Sequence, residues 1–83
     1  MKNSEVHFGM VLKDLRKAQQ LSQEGLADRS SLDRSYISSL ERNLKKPGLD
    51  TIIALAAGLD MKVSEMFKEI EEHPENDWLW DRF

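Results

Sequence analysis

Between Gln23 and Lys46 the chain gathers hydrogen-bond donors in a pattern suited to holding a partner, not to breaking bonds. Arg34 and Ser35 are followed one helical turn later by Ser38 and Ser39, so a helix would carry all four on neighbouring positions. Arg42, Asn43, Lys45 and Lys46 then add three positive charges and an amide. A guanidinium offers a fork of donors, a hydroxyl can donate or accept, and an ammonium neutralises an anion. Nothing comparable supports catalysis. The chain has no cysteine, which removes thiol nucleophiles and thiolate metal sites together. His7 and His73 are isolated and expected at the surface, and no cluster of His, Asp or Glu suggests a metal site. No glycine-rich phosphate loop and no nucleophile–base pair is present, and the serines are accounted for by helix caps and surface. The expectation is a protein that is not an enzyme and needs no cofactor.

Those donors need helices to hold them. Phe8, Val11, Leu12 and Leu15 recur at helical spacing with Lys13, Asp14, Arg16 and Lys17 opposite, predicting a first helix from about Glu5 to Gln19. Ser22 reads as the N-cap of a short second helix over Gln23–Ser30, and Asp33 as the N-cap of a third over Arg34–Arg42. Lys45-Lys46-Pro47-Gly48 marks a loop. A strongly apolar fourth helix runs from Leu49 or Asp50 to Leu59, and a fifth from Val63 to Glu72 has Met66, Phe67 and Ile70 inward. Pro74 breaks the pattern. The fold class is all-α with five helices in one domain over residues 1–72, followed by an acidic, aromatic tail over 73–83.

At 83 residues the chain has room for one domain, whose core is thin enough to benefit from a second subunit. No apolar run approaches the ~20 residues that span a bilayer, and Met1–Met10 lacks the apolar centre of a signal peptide. A cytoplasmic protein with no membrane association is expected. The net charge of −3, taken whole, argues against nucleic acid. Divided, it no longer does: residues 1–48 carry nine Lys/Arg and six acids, whereas residues 49–83 carry three and nine, a hint of a basic working surface with an acidic appendage unless it is an accident of solvated faces. The donor cluster thus lies in a basic part with an acidic part behind it. A dimer would carry −6, so long-range steering to DNA should be weak.

Apolar positions at Leu26, Ala27, Leu32, Ile37 and Leu40 suit two short helices crossing steeply through a tight turn, with Ala27 small at the crossing and Leu32 plugging the corner. Leu15-Arg16-Lys17, Leu21-Ser22-Gln23-Glu24, Leu26-Ala27, Asp33-Arg34-Ser35-Tyr36-Ile37-Ser38, Leu40-Glu41-Arg42, Lys46-Pro47, Leu55-Ala56 to Leu59 and Met66-Phe67 together resemble the XRE (lambda-repressor/Cro-like) family over about residues 6–70. The resemblance implies a five-helix domain with a helix-turn-helix, control of transcription, and a homodimer on a palindromic operator of double-stranded DNA. The third helix would enter the major groove by its N-terminal end.

Residue roles follow from that position. Arg34, Ser35, Ser38 and Ser39 would meet base edges, where an arginine bridges guanine O6 and N7. The alternatives are a surface Arg34 paired with Asp33, and serines that are merely small enough to let the helix sit close. Gln23 matches the family's phosphate-contacting glutamine, at a helix N-terminus that favours anions. Tyr36 either packs against helix two or offers its hydroxyl to a phosphate. Arg42, Asn43, Lys45 and Lys46 would neutralise backbone, although a Lys-Lys pair is more often solvated surface. Arg16 and Glu41 match a partly buried, structural ion pair.

The chain departs from the family where glycine is frequent, carrying Gln20, Ser31, Asn43 and Asp60 at turns that need positive φ. Gly25 replaces the Glu that would complete a capping box with Ser22, and Gly58 sits inside helix four at a cost. Trp78, Trp80 and Phe83 crowd the tail and should be buried by something: the domain itself, a dimer contact shared with Met66, Phe67 and Ile70 of helix five, or another protein. The small format and the Asp33–Ser38 run are similar to controller proteins of restriction–modification systems, with a phage repressor comparable. A different class of function is an antitoxin that binds a toxin through the tail and represses its own operon.

Overall fold

Helical spacing of apolar residues becomes six α-helices in the computed structural model, which describes residues 6–81, with side chains as far as Leu79. They are α1 (Phe8–Ala18), α2 (Gln23–Ser30), α3 (Arg34–Glu41), α4 (Leu49–Gly58), α5 (Val63–Glu72) and, after a 3-10 turn at Pro74–Asn76, the single turn α6 (Trp78–Asp81). Strands are absent among the described residues. The expected first helix began near Glu5; α1 starts at Phe8, and Glu5 itself lies outside the described residues. Helix three likewise stops one residue short of its expected end, with Arg42 as its C-cap.

The core takes residues from α1 to α5. Leu12, Leu26, Ile37, Leu40, Leu55 and Met66 have no exposed surface and Leu59 almost none. Helix α2 lies against α3 and α4, α1 against α3, and α5 against α4 and α1. Each wholly buried aliphatic side chain contributes about 1.5–3 kcal/mol relative to leaving it in water.

Four of the helices end in the same way. Gln20, Ser31, Asn43 and Asp60 have φ of 60°, 58°, 58° and 55°. After each, the next residue's N–H turns back to a carbonyl five residues earlier: Leu21 to Arg16, Leu32 to Ala27, Leu44 to Ser39 and Met61 to Ala56, at 2.9–3.1 Å. This is the Schellman closure, in which an apolar residue normally follows the left-handed one and packs inward. Leu21, Leu32 and Met61 do pack on the core. Leu44 does not, and is 64% exposed. Gln20 is exposed and tolerates the left-handed conformation less readily than Asn or Asp. Gln20→Gly is expected to stabilise the domain by about 0.5–1 kcal/mol, relief of strain outweighing the added entropy of the unfolded chain; equilibrium urea unfolding checks it.

Two glycines sit at close approaches between helices, and at Gly9 the approach is backbone to backbone. A methyl group at Gly9 would collide with the carbonyl oxygens of Leu40 and Glu41, so α1 begins pressed against the last turn of α3. One at Gly58 would collide with the Ser30 hydroxyl, where α4 crosses the end of α2. Gly58 is therefore more than the helix-weakening residue expected. Arg29 donates to the Gly58 carbonyl at 3.4 Å and Gln19 to the Leu59 carbonyl at 2.6 Å, satisfying the end of α4 from two neighbouring elements.

After residue 72 the described part of the chain, as far as Leu79, turns back onto the domain, one of the ways of burying it that the sequence left open. Asn76 is completely buried and bonds to both main-chain groups of His7 and to the Ile70 carbonyl. Leu79 packs on the core. His73, expected at the surface, caps the 3-10 turn through Nδ1, which accepts the Glu75 N–H at 3.2 Å. Its side chain is mostly enclosed.

Candidate nucleic-acid interface

Ser22 opens α2 by accepting the Gly25 N–H on its hydroxyl at 2.9 Å, and Ser31 closes it with the left-handed turn. Ala27 is buried where α3 approaches, and Leu32 sits half-buried at the corner. Asp33 takes the N-cap position of α3, but its side chain makes no cap bond. The result is a short helix held on its inner side by Ile37 and Leu40, with Arg34 and Ser35 exposed at its N-terminal end.

That end is braced from behind. Arg16 donates to Glu41 through Nε at 2.6 Å and Nη2 at 3.0 Å, and through Nη1 to the Leu21 carbonyl at 2.8 Å. Both side chains are largely out of water, at 10% and 3% exposure. The hydrogen bond to Glu41 raises the Arg16 guanidinium above its ordinary value, while burial pulls it down and the Glu41 charge again raises it. Gln23 Nε2 donates to Glu41 Oε1 at 3.0 Å, and Gln23 Oε1 accepts from Arg34 Nη1 at 3.4 Å. With its NH2 group turned to a carboxylate, the Gln23 amide must present its oxygen to Arg34. The buried ion pair thus lies at the root of a chain that ends on the guanidinium at the tip of α3.

The other expected residues fall as follows. Ser38 and Ser39 are half-buried, while Arg42, Asn43, Lys45 and Lys46 are exposed. Asn43 also bonds within the protein, where its side-chain oxygen accepts the Gly9 N–H at 3.0 Å and leaves its NH2 group for any anion. Tyr36 is half-buried on the core, and its hydroxyl is 3.3 Å from that of Thr51 on α4, a partner that helical spacing did not suggest. Among the residues expected at a dimer contact, Met66 and Ile70 belong to the protomer's own core, at 0% and 6% exposure, and have next to nothing to offer a second subunit. Phe67 is 43% exposed. Trp78 is half-buried with its indole N–H enclosed and without an acceptor, and the side chain of Trp80 lies outside the described residues. The described residues hold no group of acidic or imidazole side chains arranged to bind a metal.

A short capped helix, a left-handed turn and a second helix with its donor-rich end outward define a helix-turn-helix protein. The helix-turn-helix family model matches residues 12–66, and the chain belongs to that family, in its XRE-type branch. It is 40% identical over 73 residues to the control protein C.MunI of a Mycoplasma species, spanning 87% of this chain and 99% of that one. The crystal structure of the restriction–modification controller protein C.AhdI from Aeromonas hydrophila superposes with a TM-score of 0.70 at 47% identity, over 75% of this chain and 94% of that chain. C.Esp1396I bound to a 19 base pair DNA duplex superposes with a TM-score of 0.73 at 31% identity, over 78% and 87% of the two chains. These relatives are regulators and controllers, and they lend no support to the toxin-binding alternative.

Proposed function

We propose that this helix-turn-helix transcriptional regulator is a restriction–modification controller that binds a palindromic operator as a homodimer, with α3 in the major groove. The observation that carries the reading is the exposed Arg34–Ser35 end of α3, braced through Gln23 on the buried Arg16–Glu41 pair. Specific readout needs a side chain whose position is set before DNA arrives, and a guanidinium with a fixed neighbour meets that need. The near full-length match to control proteins supports the controller reading, since 99% of C.MunI and 94% of C.AhdI are spanned.

Ser35, Ser38 and Ser39 complete the base-facing side, and Gln23, Tyr36, Arg42, Asn43, Lys45 and Lys46 hold phosphates. The second subunit covers α4 and α5. Leu49 and Ile53, one turn apart on α4, and Phe67 on α5 are 63%, 45% and 43% exposed. Phe67 and Ile52 border a groove of about 480 Å³ that runs to Pro47 and Leu79. Aliphatic and aromatic surface of this kind is what a homodimer buries.

Phosphate contacts and base contacts separate experimentally. Lys45→Ala and Lys46→Ala are each expected to weaken operator and random DNA alike and to lower the salt slope of binding by about one per protomer. Titrations at several salt concentrations measure this. A slope equal to the parent's in both variants would remove the loop from the interface.

A further inference from the structure

Helix α1 has no cap of its own: His7 occupies the N-cap position, and its side chain makes no cap bond. Two asparagines remote in sequence serve instead. Asn76 Oδ1 accepts the His7 N–H at 2.7 Å, while its Nδ2 donates to the His7 carbonyl at 3.1 Å and the Ile70 carbonyl at 2.9 Å. Asn43 Oδ1 accepts the Gly9 N–H at 3.0 Å. A wholly buried amide with three bonds made is a rigid joint, because breaking it strands polar groups away from water.

The second asparagine lies in the DNA-facing loop. Asn43 is the left-handed residue that ends α3 and begins the segment carrying Lys45 and Lys46. The following apolar residue, which plugs the core at the three other such turns, is here the exposed Leu44. A side-chain hold of the loop on the domain runs from Asn43 to Gly9. Gly9 also lies where the start of α1 approaches the last carbonyls of α3 too closely for a Cβ, so a shift of α1 is felt directly at the end of α3.

We propose that Asn76 is a positioning residue for DNA binding. Through His7 and Gly9 it sets where α1 starts, and through Asn43 the start of α1 sets the loop that presents Lys45 and Lys46. The segment after α5 is then part of the recognition machinery, although it is far in sequence from every residue that meets DNA. The inference rests on Lys45 and Lys46 being phosphate contacts.

Asn76→Ala, in the full chain and at a temperature where circular dichroism shows it folded, is titrated with operator and random DNA beside Lys45→Ala and Lys46→Ala. The expected result is a fall of about threefold to tenfold in affinity for both DNAs. The salt slope should drop by about one per protomer, with the operator-to-random ratio kept. Amide exchange at Gly9 and Asn43 should quicken in the same variant, which a loss of stability shared evenly by all residues would not single out. Should Asn76→Ala fail to fold, Asn76→Ser, small and still polar, is read by the same measurements. A folded variant with the parent's salt slope, beside lysine variants that do lower it, overturns the inference alone. Unchanged slopes in the lysine variants overturn the phosphate reading and the inference with it.

Discussion

Glu41→Ala should lower the stability of the domain by about 3–5 kcal/mol, the cost of leaving a buried charge without its partner. Arg16 would keep one acceptor, the Leu21 carbonyl, and lose a carboxylate held through two of its nitrogens. Both side chains are too enclosed for water to take over, at 10% and 3% exposure. A chain of this size has roughly 4–12 kcal/mol in total, so the variant should sit near its unfolding threshold at ordinary temperature. Thermal unfolding by circular dichroism should register a loss on the order of 20 °C. The double replacement Arg16→Met with Glu41→Leu separates the cost of a stranded charge from the net worth of the pair. Its stability should return to within about 1–2 kcal/mol of the parent, because well-packed apolar residues replace buried pairs at little cost. A single variant as stable as the parent would mean that the ion pair holds nothing together.

Arg34→Ala should bind random DNA nearly as the parent does and lose most of its preference for the operator. A bidentate arginine–guanine contact discriminates by about 1–3 kcal/mol, and a dimer makes it twice, so the operator-to-random ratio should fall by roughly one to four powers of ten. Stability should barely change, since Arg34 is exposed and its contact within the protein is a 3.4 Å bond to Gln23. Competition titrations of operator against random DNA measure the ratio directly. An Arg34→Ala variant that discriminates like the parent would place base readout elsewhere than on α3.

Periodicity made the helical frame legible because burial leaves a repeating mark. Leu12, Leu26, Ile37, Leu40, Leu55 and Leu59, all spaced as inward residues, are among those with no or almost no exposed surface. The four left-handed turns were legible too, through Gln20, Ser31, Asn43 and Asp60 standing where related chains carry glycine. What stayed hidden was long-range hydrogen bonding by single amides. Asn76 meets His7 across 69 residues and Asn43 meets Gly9 across 34, and neither bond has a spacing to betray it. Gly9 and Gly58 were equally opaque, since a glycine needed for close approach looks the same in sequence as one that merely weakens a helix. The path after residue 72 was open for the same reason: Pro74 stops a helix, but it says nothing of where the chain goes next. At the interface, residue types announced the donors between Arg34 and Lys46, whereas the chain from Arg16 through Glu41 and Gln23 to Arg34 needed three helices placed in space.

On the proposed reading, α3 reads DNA sequence twice, once from each subunit of a dimer. Selection of bound sequences from a random DNA pool tests it most directly. One palindrome should be enriched, its half-sites about one helical turn apart or a multiple of it, and a position within each half-site should lose its preference when the selection is repeated with Arg34→Ala. A pool in which nothing is enriched, or only a single unrepeated half-site, would contradict it.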